Sequence, residues 1–342
     1  MRYRDSGVDI ERADALKEEI GRAVRATWGS TVRPLTGGFA GVMDWPGGAE
    51  VPLLAATMDG VGTKLHLAIE MGRVDAVAAD LVYHCANDLL AHGARPIAFL
   101  DYIAQSSLDP ERVTAAVRGL ARACSDVGAA LLGGETAEMP DTYLPGVVDV
   151  AGCMLGTVPP GGLLGVSEAR PGDALLGLGS HGLHTNGYSL ARRIVAATGT
   201  RLDAPLPEGG GTTVGEALMA SHRWYGPALS PLLERRRVRA LAHVTGGGIA
   251  GNLLRVLPEG SRARVDGAAW PWPPLFRWLV DVGPVPVEDA RQTFNLGIGM
   301  IVVCAPSERE TLAGDLASAG ESVWTIGEVV AGTRGVEWIE RS

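Results

Sequence analysis

MDGVGTKLHLAIE, Met58–Glu70, follows the apolar run VPLLAATM, Val51–Met58, and reads as the turn from a buried strand into a helix. Within it, Asp59-Gly60-Val61-Gly62-Thr63-Lys64 carries one of the chain's two lysines. A P-loop spaces its glycines widely and puts a serine or threonine behind its lysine. Here the glycines nearly touch and the threonine comes first. The parts still suit a phosphate. Glycines allow close backbone approach, N–H groups at a strand-to-helix turn favour an anion, and the lysine adds positive charge. Asp59 adds a hard oxygen of the kind magnesium takes. Taken alone, a tight turn with a surface lysine accounts for the same letters.

The remaining chain narrows the choice. Its 342 residues suggest two domains, each able to bury its own core. A formal net charge of -9 argues against a nucleic-acid partner, which needs a basic face. Cys85, Cys124, Cys153 and Cys304 are scattered without a C-x-x-C pair and read as buried thiols of a reducing compartment. The N-terminus lacks a signal-peptide core, and no stretch has the roughly 18 apolar residues of a membrane span. A cytoplasmic protein is expected.

Asp80–Gly93 reads as a helix stopped by Gly93. On it Asp80, His84, Asn87 and Asp88 share one face, bordered by Leu81, Cys85 and Leu89. Short carboxylates and amides on so narrow a face suit a metal held with a nucleotide phosphate, although a solvated face remains open. PIAFLDYIA reads as a strand, and Asp109-Pro110 as N-cap and first turn of the next helix. Ala129–Leu132 reads as a strand running into a loop, GGETAEM, whose Gly133, Gly134, Glu135 and Thr136 offer a third oxygen-rich site. Val147–Val158 is a further strand. The expected helix Ile10–Ala26 precedes all of these.

Prolines and glycines from Pro159 to Gly172 mark a boundary near residue 168, giving domains 1–168 and 169–342. The second half repeats a strand, loop, helix plan twice. ALLGLGS leads through HGLHTNG to YSLARRIVAA, and ALAHV leads through TGGG to IAGNLLRVL. His184, Thr185, Asn186 and Gly187 therefore sit on one anion-suited turn, and His243, Thr245, Gly246 and Gly247 on another. His184 and His243 read as functional, able to move protons near neutral pH, whereas His222 and His92 read as structural. Alternating strands and helices make both halves α/β or α+β.

Eight motifs stand in one order: DSGVDIERADAL, DGVGTKL, DLVYHCANDLLAHGARPIAFLDYIA, LLGGETAEMP, DVAG, HTNGYSL, HVTGGGIAGNLLRVLP and TFNLGIGM. That order resembles the phosphoribosylformylglycinamidine cyclo-ligase (AIR synthetase) family, over almost the whole chain. The resemblance implies a two-domain α/β (α+β) fold and a homodimer whose N-terminal domains pair into a β-barrel. It implies ATP-dependent ring closure of formylglycinamidine ribonucleotide to 5-aminoimidazole ribonucleotide, with ATP and Mg2+ bound by residues 1–168. Asp59, Gly60, Gly62, Thr63, Lys64, Asn87, Asp88 and Gly133–Thr136 would hold the nucleotide, with Asp59, Asp80, Asp88 and Glu135 toward the metal. His184, Thr185, Asn186, Gly187, Thr245, Gly246 and Gly247 would hold the substrate, and Lys64, His184 and His243 would act in catalysis. Loss of Lys64 or Asp88 would then remove activity and leave the fold.

The chain departs from the family's usual pattern at Ser221-His222-Arg223-Trp224-Tyr225, where only Arg223 and Tyr225 match, at Gln292, and at Gly37–Met43. Two other readings stay open. One is a superfamily kinase such as thiamine-monophosphate kinase, which should lack the HTNGYS and TFNLGIGM pair. The other is a non-catalytic nucleotide-binding paralogue.

Overall fold

The computed structural model describes residues 20, 22–34, 38–46, 50–165 and 168–339. Most of the expected helix Ile10–Ala26, and Gly37 of the Gly37–Met43 stretch, lie outside them. Two six-stranded mixed sheets carry the fold. The first holds β1 (Val32–Arg33), β2 (Gly41–Met43), β3 (Leu53–Gly60), β4 (Arg95–Gln105), β5 (Ala130–Glu138) and β6 (Val148–Val158), in the order β1-β2-β3-β6-β4-β5. The second holds β7 (Ala174–Gly179), β8 (Ala240–His243), β9 (Ser261–Asp266), β10 (Ile298–Cys304), β11 (Val323–Ala331) and β12 (Gly335–Ile339), in the order β12-β9-β11-β7-β10-β8.

The expected barrel is corrected by this topology. Closure needs the two edge strands of a sheet to find partners. Among the described residues β1 pairs only with β2, and β5 only with β4. The first sheet is open, the second ends likewise in β12 and β8, and neither curls strongly. β5 also corrects the reading of Gly133–Glu138 as a loop. Those residues stay extended because β4 continues beside them in parallel register as far as Gln105↔Glu138.

Helix α1 (Lys64–Glu70) follows β3, and α2 (Val74–Leu90) lies behind it. Every residue of α2 except Asp75 and Tyr83 is buried. A helix covered all round must have protein on each side. The first sheet with α3 (Pro110–Val127) covers its apolar side, and the second half covers Asp80, His84, Asn87 and Asp88. The α3 N-cap follows the sequence reading. Asp109 accepts from the N–H groups of Glu111 and Arg112, and Gly128 ends the helix in the left-handed region. In the second half, α4 (Tyr188–Thr198) and α7 (Gly248–Leu253) start the two repeated units. Between them in sequence lie α5 (Val214–Leu218) and α6 (Gly226–Glu234). Late helices α8 (Pro274–Val282), α9 (Val287–Thr293) and α10 (Arg309–Ser318) complete the second layer.

Candidate active site

The polar face of α2 forms the seam between the halves. Asp80 lies at its centre, 1% exposed, and Lys64 is 0% exposed beside it. The Lys64 ammonium lies 2.6 Å from Asp80 Oδ2 and donates to the carbonyls of Ala220 at 2.8 Å and His184 at 3.0 Å. An ammonium has three donors, so all three are spent on protein. Burial opposes the charge on Lys64, but Asp80 outweighs it and holds the amine above its ordinary range. This geometry makes Lys64 a tie between the halves and turns its charge away from the loop that carries it.

Two turns further along α2 from Asp80, Asn87 donates to the Arg223 carbonyl at 2.8 Å and accepts from the Tyr225 N–H at 3.2 Å. Asp80 Oδ1 accepts from the His222 N–H at 2.8 Å. The helix thus grips the backbone of Ser221–Tyr225, the stretch that departs from the pattern the sequence resembles. Arg223 reaches Glu321 at 2.7 Å, and Tyr225 donates to the Gly179 carbonyl at 2.8 Å. A Cβ at Gly299 would stand 2.1 Å from the Tyr225 hydroxyl and 2.5 Å from His184 Cε1, so that position admits no side chain.

Four of the seven histidines gather here. His184 and His222 stack, with ring centroids 4.1 Å apart and planes at 24°. Nε2 atoms of His222 and His243 lie 3.1 Å apart, and His243 Nδ1 lies 2.8 Å from Asp88 Oδ1. Burial, reinforced by neighbouring positive charge, pushes His184 and His222 well below the ordinary histidine range. Burial also outweighs Asp88 and lowers His243. The His243–Asp88 contact is therefore a neutral N–H donating to a carboxylate, and His222 in turn donates to His243 Nε2. His222, expected to be structural, stands inside the cluster.

His84 behaves oppositely. Its Nε2 lies 2.7 Å from Asp59 Oδ2 and 3.6 Å from Asp88 Oδ2, and its Nδ1 lies 2.7 Å from Thr185 Oγ1. Burial opposes its charge, but the Asp59 hydrogen bond and the Asp88 charge outweigh that and push it up to about 9 from 6.5. Asp59 is lowered in step: burial opposes its charge, and the His84 hydrogen bond and charge outweigh it. A raised folded-state pKa stabilises the fold fully below the unfolded value and loses that contribution as pH rises through the folded value. Unfolding stability of the metal-free protein is therefore expected to fall between pH 6.5 and about 9, by at most about 3 kcal/mol. Urea unfolding at successive pH values measures this, and the fall should vanish in His84→Gln. An equal fall in the variant would assign it elsewhere.

The two second-half turns meet each other. His184 takes φ 59° and Gly187 φ 81° at the start of α4. A Cβ at Gly187 would stand 2.6 Å from Phe294, which joins HTNGYS to TFN. Gly246 faces Asn186 Oδ1 at 3.3 Å from its own would-be Cβ. Asn252 staples the glycine turn by donating to the carbonyls of Gly246 and Gly248, while its Oδ1 accepts from Thr245. Thr63 Oγ1 reaches Ser189 Oγ at 3.2 Å, so the Asp59–Lys64 turn abuts α4.

Gly133–Thr136 lies elsewhere on the first sheet. Register places Asp59, Gly152, Asp101 and Gly134 in one row across β3, β6, β4 and β5. Three strand spacings, roughly 14 Å, separate the ends of that row. A ligand touching both ends needs the length of a nucleoside triphosphate. Asp101, half-buried in the middle and raised by burial, was hidden within an apolar strand. Its signal was the single charge in PIAFLDYIA. A cavity of about 930 Å³ between α1 and α4, lined by Glu70, Arg192 and Asp203, shares no residue with the expected site.

With this geometry in view, comparison with known proteins places the class. The AIR synthase related protein models match the chain in two parts, the N-terminal domain over residues 37–158 and the C-terminal domain over residues 170–340. The chain is 44% identical over 329 residues to phosphoribosylformylglycinamidine cyclo-ligase of Paraburkholderia phymatum, covering 96% of this chain and 92% of that one. It is 43% identical to the same-named protein of Chromobacterium violaceum, covering 96% and 95%. The chain belongs to the phosphoribosylformylglycinamidine cyclo-ligase family. A solved thiamine-monophosphate kinase from Stenotrophomonas maltophilia superposes with a TM-score of 0.60 at 20% identity, covering 94% of this chain and 95% of that one. That likeness is one of fold.

Proposed function

We propose that the seam between the two sheets, with Asp59, Asp88, His184 and His243, is the reaction centre of an ATP-dependent ring closure. As a member of its family the chain is an ATP-dependent ligase. It converts formylglycinamidine ribonucleotide to 5-aminoimidazole ribonucleotide in purine biosynthesis, releasing ADP and phosphate. The identity along 96% of the chain carries this reading.

In the proposed division of labour, residues 1–168 hold ATP and residues 169–342 hold the ribonucleotide. The segregated sheets and the two family segments support that split. The nucleotide lies along the Asp59-to-Gly134 row, with Gly60, Gly62, Thr63 and Glu135–Thr136 at its ends. Asp59 and Asp88 supply hard oxygens that fit a divalent cation, which when bound would offset charge on the transferring phosphoryl group. Thr185–Gly187 and Thr245–Gly247 take the substrate phosphate. The formyl oxygen accepts the phosphoryl group and becomes a good leaving group, and a substrate nitrogen then closes the ring. His243, neutral and hydrogen-bonded to Asp88, orients that carboxylate at the reaction centre. Lys64 positions His184 through its main-chain carbonyl.

The working unit in this reading is a cytoplasmic homodimer. Met58 and Leu100, which flank Cys153 in register, are exposed on the open first sheet and offer a second copy an apolar surface. Among the described residues no helix is long and apolar enough to cross a membrane.

The purified chain should form ADP and free phosphate from ATP when formylglycinamidine ribonucleotide is present and form no ADP with thiamine monophosphate in its place. ADP formed with thiamine monophosphate alone, the phosphoryl group passing to that substrate, would transfer the chain to the kinase reading.

A further inference from the structure

The sequence placed only oxygen donors around the expected cation, but the fold brings imidazoles to it. Among the described residues two groups could chelate an ion: His184, His222 and His243, or His84, Asp88 and His243. The first fails on geometry. Stacked rings hold their nitrogen lone pairs in near-parallel planes, which do not converge on one ion. His184 Nε2 is also taken by the N–H groups of His181 at 3.2 Å and Arg223 at 3.4 Å.

The second passes. His84 and His243 meet edge to face, with centroids 5.1 Å apart and planes at 69°, so their nitrogens can aim at a common point. Tetrahedral donors bound to one ion at 2.0–2.2 Å lie about 3.3–3.6 Å from each other. His84 Nε2 lies 3.6 Å from Asp88 Oδ2, at that edge length. His243 Nδ1 lies 2.8 Å from the other Asp88 oxygen, Oδ1, and would move out by about half an ångström to reach it.

The far nitrogens are also held as metal-ligating histidines need. His84 Nδ1 meets Thr185 Oγ1. An ion on His243 Nδ1 requires the ring's other tautomer, whose Nε2–H donates to His222 Nε2 across the 3.1 Å contact, the reverse of the metal-free direction. The Asp59 side chain is 40% exposed, leaving an approach and open positions on that side.

We infer that His84, His243 and Asp88 form a resident site for a first-row transition dication of the zinc type, with Asp59 at its open side. Two imidazoles with one carboxylate favour such an ion over magnesium, which prefers oxygen and water. The ion would stay on the protein without nucleotide. The inference rests on the reading of Asp88 as a cation ligand and adds the imidazoles to it.

The test uses the full, metal-free chain with no nucleotide. Titration with Co2+, followed by visible absorption, should show one ion per chain with the intense bands of a four- or five-coordinate nitrogen-containing site. Calorimetry with Zn2+ should show affinity at least about tenfold weaker in His84→Gln. Should that variant fold poorly, the wild-type chain labelled with 15N-histidine reports directly. Zn2+ should shift His84 Nε2 and His243 Nδ1 and leave His66 in place.

Faint six-coordinate cobalt spectra, with Zn2+ affinity equal in both proteins, would overturn the inference. So would unmoved His84 and His243 resonances. Mg2+ binding measured with a non-hydrolysable ATP analogue tests the parent reading separately. Its persistence after those results would leave the oxygen-ligand site standing without the imidazoles.

Discussion

Lys64→Ala is expected to cost the fold about 3–5 kcal/mol, seen as a lower urea midpoint with an unchanged slope. The cost comes from what is left behind. Asp80 stays 1% exposed with its countercharge gone, and the carbonyls of His184 and Ala220 lose a donor. Breaking a buried pair on one side is far worse than never having built it. Read from its loop alone, Lys64 was expected to be lost without harm to the fold, and its burial reverses that expectation. Lys64→Met combined with Asp80→Leu should recover part of the stability, since the charge is removed from both sides. Lys64→Ala with a wild-type midpoint would show that the tie carries no weight.

Asp88→Asn should lower turnover by about two to three orders of magnitude while the urea midpoint moves little. The amide keeps the side chain's size and can still accept from His243 Nδ1–H, so packing survives. What disappears is a full negative charge facing both His84 and the site where a cation would sit. Steady-state phosphate release at saturating ATP measures the effect. A variant within a few-fold of wild type would remove Asp88 from the reaction centre.

Much of this was legible in the sequence, for identifiable reasons. Strands β3, β4, β6 and β10 are apolar runs with turn residues at their ends, and α3 carries its own start and stop signals. The face of α2 could be drawn because helical spacing is fixed. That it faces protein, with no water over it, could not be drawn, since burial of Asp80 depends on chain more than a hundred residues later. His222 was passed over because nothing beside it in sequence marks it; only the fold sets it against His243. Glu135 was grouped with Asp59 because both sit among glycines, whereas strand order decides their separation.

The burial of α2 also bears on the order in which the molecule can be made. The first half leaves the ribosome before any of Ala220, Arg223 or His243 exists. Until the second half arrives, with the carbonyls of His184 and Ala220, Lys64 and Asp80 have only water and each other, and the helix that forms the seam has one side bare. The early sheet can assemble on its own apolar contacts, but the cluster of histidines and carboxylates acquires its shape only when the late strand β8 docks. Nascent chains shorter than about that point therefore have a first half whose reaction centre is chemically complete in aspartates and still unbuilt.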